Sequence, residues 1–150
     1  MRRRFQNGTT TVEFAIVGAV VLTLLFTVIE FGRILFTLNM LDEGARRGAR
    51  VAAVCAVGNA AVANAATFVS LPGFSTTNVV TEYLSENGTP LGNPTGGNYS
   101  LIRYVRVRIV GYSFPIAIPF IAATFTPPEI SSTLPRESLG VPKFGAAPAC

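Results

Sequence analysis

Apolar and polar positions divide this chain into regimes. Phe14 to Ile29 (FAIVGAVVLTLLFTVI) carries no charge and is rich in Val, Leu, Ile and Phe. Sixteen residues fall a little short of the roughly 20 that a bilayer-spanning helix needs. The pattern runs on through Glu30-Phe31-Gly32-Arg33 into Ile34 to Leu41, so one helix is predicted to cross a membrane with its far end near Arg33 to Leu41. Glu30 and Arg33 are three apart and share a helical face, where they can pair, and Arg33 can also snorkel toward headgroups. Asp42 precedes Arg46, and Glu43 precedes Arg47, each by four residues in the favourable acid-first order. Ala45, Ala49, Ala52 and Ala53 add helix propensity, and Gly58-Asn59 is the first strong stop. A continuous helix from Thr9 to Val57 is about 70 Å long at about 1.5 Å per residue. That is roughly twice the hydrocarbon thickness, so its second half must pack on something else.

Beyond it the pattern changes. Ala60 to Val69 reads as a short apolar helix broken by Leu71-Pro72-Gly73. Val79, Val80, Tyr83 and Leu84 stand at helical spacing within Ser75 to Glu86, predicting a second short helix that Asn87-Gly88 ends. Thr89 to Asn98 is a Pro- and Gly-rich loop. Leu101 to Val110 is the clearest strand: Val105, Val107 and Ile109 alternate with Tyr104, Arg106 and Arg108, giving one apolar face and one basic, aromatic face. Pro115 and Pro119 interrupt the next apolar stretch, Pro127-Pro128 closes it, and Glu129 to Leu134 is a further candidate strand before an irregular tail from Pro135. The expected fold is α+β: a 1–8 leader, a 9–57 transmembrane and extended helix, and a small 58–150 extracytoplasmic domain with a short antiparallel sheet.

Composition agrees with a membrane segment joined to an apolar soluble part. Hydrophobic residues make up 49% and charged residues 13% of the chain, with a mean hydropathy of +0.46; an ordinary soluble domain is about 25% charged. The net charge of +4 is concentrated at the start. Without Arg2, Arg3 and Arg4, the 12 basic side chains become 9 against 8 acidic, a net of +1. The basic leader therefore reads as a cytoplasmic retention signal and not as a nucleic-acid surface.

The chain has no histidine and two cysteines, Cys55 and Cys150. This excludes the usual Ser-His-Asp and Cys-His catalytic sets and a four-ligand zinc site; no cofactor and no enzymatic activity are expected. A disulfide between Cys55 and Cys150 is permitted if the C-terminal part is extracytoplasmic, and two unpaired thiols are the alternative.

The chemistry that stands out is at the N-terminus. Arg2 to Arg4 lead to Gly8, and Glu13 follows five positions later at the edge of the apolar run. A carboxylate at the start of a bilayer-spanning helix is costly and marks function. Gly8 lets a membrane protease approach the extended backbone closely. Cutting after it would create an α-amino group on Thr9, which a carboxylate in a low-dielectric medium would pair with. Glu13 could then set register in a helical bundle, with Phe14 opening the packing surface. The arrangement resembles the processing site of a type IV prepilin.

Three further blocks narrow the resemblance. Thr11-Val12-Glu13-Phe14-Ala15, Ile29-Glu30-Phe31-Gly32-Arg33 and Glu43-Gly44-Ala45-Arg46-Arg47-Gly48-Ala49-Arg50 resemble the TadE-like family of minor pilins, or pseudopilins, of the Tad (Flp) pilus system. The resemblance covers about a third of the chain. It implies cleavage by a prepilin peptidase between Gly8 and Thr9, with Glu13 matching the family's acid. It also implies a bacterial inner-membrane, single-pass location, with the N-terminus cytoplasmic and the C-terminal part periplasmic. The implied partners are the peptidase, a major Flp-type pilin, another minor pilin, the inner-membrane assembly platform and the lipid bilayer. The implied role is pilus assembly or initiation; an uncleaved single-pass envelope scaffold or binding protein is the alternative, and a secreted adhesin a third class.

Other features have plainer readings beside the functional ones. Gly44-x3-Gly48 with Ala45 and Ala49 could be a surface for a partner helix or could let the helix lie close on its own sheet. Arg46, Arg47 and Arg50 could touch anionic headgroups or form a solvated, locally paired face. Arg103, Arg106 and Arg108 with Tyr104 give only weak support for nucleic-acid contact.

Overall fold

The computed structural model describes residues 9–67, 71–118, 121–141 and 150. Its spine is α1 (Thr9–Val54), an unbroken helix of 46 residues, about 69 Å long at about 1.5 Å per residue. α2 (Ala61–Ala66) folds back on it, lying within the stretch predicted to be helical. Three strands follow in an antiparallel sheet of order β1 (Val79–Leu84), β2 (Tyr104–Ile109) and β5 (Ile130–Pro135), with β2 central. Between β2 and β5, β3 (Phe114–Pro115) and β4 (Thr124–Phe125) form a short hairpin.

α1 changes its surroundings along its length. Phe14, Ile16, Val17, Leu24, Val28 and Ile29 are exposed around it, whereas Leu41, Gly44, Ala45, Gly48, Ala49, Ala52 and Ala53 are buried. This buried stripe is built of small residues, and the structure uses it within the chain. A Cβ on Gly44 would sit 2.6 Å from the carbonyl oxygen of Ala66. One on Gly48 would sit 3.1 Å from Ala66 Cβ and 3.2 Å from Val107 Cγ1. The Gly44-x3-Gly48 surface thus seats α2 and β2 of its own domain. Val105 and Val107 meet Ala49, Ala52, Val62, Tyr83 and Ile102 in one core cluster; Leu41, Ala45, Leu71, Ile109, Tyr112 and Phe114 form a second, nearer the exposed half of α1.

The alternation predicted around β2 holds, with Val105, Val107 and Ile109 buried, although the strand starts at Tyr104 because Gly96–Leu101 coils into 3₁₀ turns. The candidate strand at Glu129 to Leu134 is β5, shifted by one residue. The helix predicted over Ser75 to Glu86 is not present. Thr76–Asn78 is a single 3₁₀ turn, and Val79–Leu84 is strand β1. The β-branched Val79, Val80 and Thr81 favour a pleated surface, and antiparallel pairing sets Glu82 opposite Arg106. Cross-strand pairing therefore overrides a helical spacing that only four positions supported.

α1 ends at Val54, three residues short of the expected end at Val57, where another segment takes over its terminal carbonyls. Glu137 N–H donates to Ala53 O (3.0 Å), Gly140 N–H to Val54 O (2.7 Å) and Ser138 Oγ to Val54 O (2.9 Å). A helix end leaves such carbonyls without intrahelical partners, and this tail supplies them. Gly140 has φ +78°, and a Cβ there would lie 2.9 Å from Ala56. Cys55 and Cys150 are disulfide-bonded, with Cα atoms 6.0 Å apart.

Replacing Gly44 with Ala sets a gain in helix propensity of about 1 kcal/mol against an overpacking cost of about 1–3 kcal/mol. The carbonyl of Ala66 is backbone and yields little. Gly44→Ala is expected to lower stability by about 1–2 kcal/mol in chemical unfolding of the detergent-solubilised full chain. Gly32→Ala, with nothing within 4 Å of its added carbon, is expected to be neutral or stabilising.

Candidate functional site

The functional candidates lie at the two ends of the apolar half of α1. Glu13 and Arg33 are 20 residues apart on one helix, about 30 Å along its axis, which is the thickness of a hydrocarbon core. From Phe14 to Ile29 the helix is uncharged and apolar on every side, a pattern suited to lipid, and the most apolar window is wholly unburied. A removable signal sequence would meet the same length test. Here, however, the apolar half runs without a break into the stripe that forms the domain core.

At the outer end, Glu30 is only 4% exposed and begins the buried stripe. Positions 30, 37, 41, 44 and 48 recur at helical spacing on one face. Arg33 donates to Glu30 through Nε (3.0 Å) and Nη2, a forked contact. Nη2 also donates to the carbonyl of Pro115, and the guanidinium lies 4.9 Å from the centroid of the Phe114 ring. The backbone N–H of Ala117 reaches the Glu30 carboxylate. The expected Glu30–Arg33 pair is thus also a clasp, holding the β3–β4 hairpin against α1. Phe74, Tyr112, Phe114 and Phe125 pack behind it in edge-on and tilted contacts, with successive ring centroids 5.5–5.8 Å apart, and Tyr112 Oη donates to Pro72 O (3.2 Å). The sequence signal for this part was the Pro-interrupted apolar stretch, but nothing local linked it to Glu30.

At the inner end, Thr9, Glu13 and Phe14 are exposed in the first turns of α1. Among the described residues no ion pair involves Glu13. Gly8, on the other side of the expected cut, lies outside the described residues.

The remaining arginines are held mostly by local acids. Asp42–Arg46 (2.7 Å) and Glu43–Arg47 (2.8 Å) pair along the helix. On the sheet, Glu82 binds both Arg106 and Arg108, and Arg108 also binds Glu129. Burial pushes the Glu82 carboxyl up, but the hydrogen bonds from Arg106 and Arg108 outweigh it and leave the pKa below the usual 4.5. The basic face of β2 is therefore an ion-paired surface that ties the three strands together.

A long apolar helix near the N-terminus, with a small α+β domain folded around its second half, fits a single-pass membrane protein. The family model described as TadE-like protein matches residues 8–50, so that stretch of the chain is similar to TadE-like proteins. No curated protein and no solved structure matches the chain. The matched segment spans Glu13, Glu30 and Arg33 and suggests association with the Tad pilus machinery.

Removing one partner of a buried ion pair costs about 3–5 kcal/mol. Because Arg33 is 38% exposed, Arg33→Met is expected to cost about 2–3 kcal/mol. The double variant Glu30→Gln/Arg33→Met should recover most of that loss, because no charge is left stranded. A double-mutant cycle on the full chain checks this; additive losses would mean that the pair does not act as a unit.

Proposed function

We propose that this protein is a minor pilin, or pseudopilin, that a prepilin peptidase cuts between Gly8 and Thr9 and that takes part in assembling or initiating a Tad (Flp) pilus. The observation that carries the reading is the continuity of α1. From Thr9, the first residue described, one unbroken helix presents an apolar surface for about one bilayer thickness and then becomes the spine of the folded domain. Such a subunit can pass from lipid into a helical bundle without unfolding, because both surroundings accept the same apolar surface.

Glu13 supplies selectivity. Its carboxylate projects from an exposed helix surface just before the apolar run, where an unpaired charge is expensive. The α-amino group that cleavage would create on Thr9 offers a counter-charge in the same subunit or in a neighbour. The pair favours both ionised forms more strongly in a medium of low dielectric constant. A subunit out of register would leave one charge stranded. Phe14, the next residue, opens the apolar run that would meet neighbouring helices. Glu30 and Arg33 serve assembly indirectly, by fixing the domain to the helix just outside the hydrocarbon.

In this reading the N-terminus is cytoplasmic, the domain is periplasmic, and the home membrane is the bacterial inner membrane. The partners are the peptidase, the major Flp-type pilin, another minor pilin and the assembly platform. The work is packing, with no catalytic step.

The intact mass of the membrane-extracted protein, from cells with and without the prepilin peptidase, tests this. A chain beginning at Thr9 only when the peptidase is present is the expected result. A full-length mass in both would replace the pilin reading with that of an uncleaved single-pass scaffold. Glu13→Ala should be cut as the wild type is and yet reduce surface pili severalfold; normal piliation would remove the pairing role.

A further inference from the structure

The β3–β4 hairpin has a direction. Tyr112 packs in the core cluster that contains Leu41; Phe114 and the Pro115 carbonyl meet Arg33; the Ala117 N–H meets Glu30. Successive residues of the hairpin thus follow α1 backward from position 41 to position 30, about 16 Å along the axis, toward the apolar half of the helix. The outgoing strand returns through Ala123, whose carbonyl accepts from Ile116 N–H (2.9 Å), and Ile121 N–H donates to Ile118 O (3.2 Å) across the tip. From Ile109 to Pro128 the chain carries no charge. Ile121 is 50% exposed, and Ala117 is exposed beside it.

We propose that this hairpin tip is a second membrane contact, seating Ile118 and Ile121 among the acyl chains at the outer face of the bilayer that α1 crosses. The proposal rests on the reading of α1 as a membrane span and is independent of cleavage and of pilus assembly. Three features favour lipid as the occupant. The tip continues the apolar surface of α1 at the level where that surface meets Glu30. Part of its backbone is already satisfied, through the N–H groups of Ile116, Ala117 and Ile121, which lowers the cost of entering an apolar medium. The Arg33 guanidinium stands above it at headgroup height, where a basic side chain gains from anionic lipid. An apolar element of this kind reaches about 5–10 Å into the headgroup and acyl boundary. With α1 it would give the domain two points of attachment, fixing its rotation about the helix axis.

The chain has no tryptophan, so a single introduced indole reports one site. Full-length Ile121→Trp and Ile118→Trp proteins are reconstituted into phospholipid nanodiscs with and without acyl-chain bromination. Leu25→Trp serves as the buried-span control and Val80→Trp, on β1, as the solvent control. The expected result is blue-shifted emission from both tip variants, quenched by brominated lipid severalfold more than Val80→Trp. Emission and quenching equal to Val80→Trp would overturn the proposal. Blue-shifted emission that ignores brominated lipid and grows with protein density would also overturn it, in favour of a second copy of the chain as the occupant. An unquenched Leu25→Trp would overturn the membrane reading of α1 along with it.

Discussion

Everything in this molecule depends on how closely one helix can be approached. α1 carries a bulky apolar surface suited to lipid along one half, and along the other a surface flat enough for another helix and a sheet to lie against it. It does so by changing side-chain size along its length. Phe, Leu, Ile and Val dominate from Phe14 to Ile29, and Gly44, Ala45, Gly48, Ala49 and Ala52 form the seat for α2 and β2. Dispersion and hydrophobic burial are gained on the outer half only because no side chain there holds the neighbours away. A domain of fewer than a hundred residues has little core to spare, and this one obtains much of its core by borrowing the outer half of α1.

The other fastenings secure that contact at its two ends. Toward the apolar half of α1, Glu30 and Arg33 hold the β3–β4 hairpin against the helix with charges that satisfy one another and two backbone groups. Away from it, the segment Glu137 to Gly140 covers the last carbonyls of α1. The Cys55–Cys150 bond closes a separation of 95 residues, which in the chain-entropy account removes about 4–5 kcal/mol of freedom from the unfolded chain. Between these ends the sheet is stitched by Glu82, which draws on Arg106 and Arg108 at once.

Much of this was legible in the sequence, and the reasons differ by element. The long helix could be read because its apolar run, its acid-first i,i+4 pairs and its alanines all point the same way. β2 could be read because three apolar positions alternate with three polar ones. β1 reads as a helix from spacing alone, since Val79, Val80, Tyr83 and Leu84 fit it; the β-branched Val79, Val80 and Thr81 and the pairing of all six residues with β2 decide against it. The use of Gly44 and Gly48 was equally open, since a small-residue stripe looks the same whether its partner is another chain or its own sheet. The contacts of Pro115 and Ala117 with Arg33 and Glu30 join positions more than 80 residues apart, and no periodicity reveals those. Glu13 is the reverse case: its position in the sequence is informative, while within one chain it has no ion-pair partner among the described residues.

The central claim is that one unbroken helix serves both the bilayer and the domain. Amide hydrogen exchange of the full-length protein in lipid nanodiscs tests it most directly, because exchange reports helix opening residue by residue. Continuous protection from Phe14 through Val54, with no fast-exchanging break between Ile29 and Leu41, is the predicted result. Fast exchange across Glu30 to Leu41 between two protected segments would contradict it, showing a membrane anchor and a separate domain helix joined by a hinge.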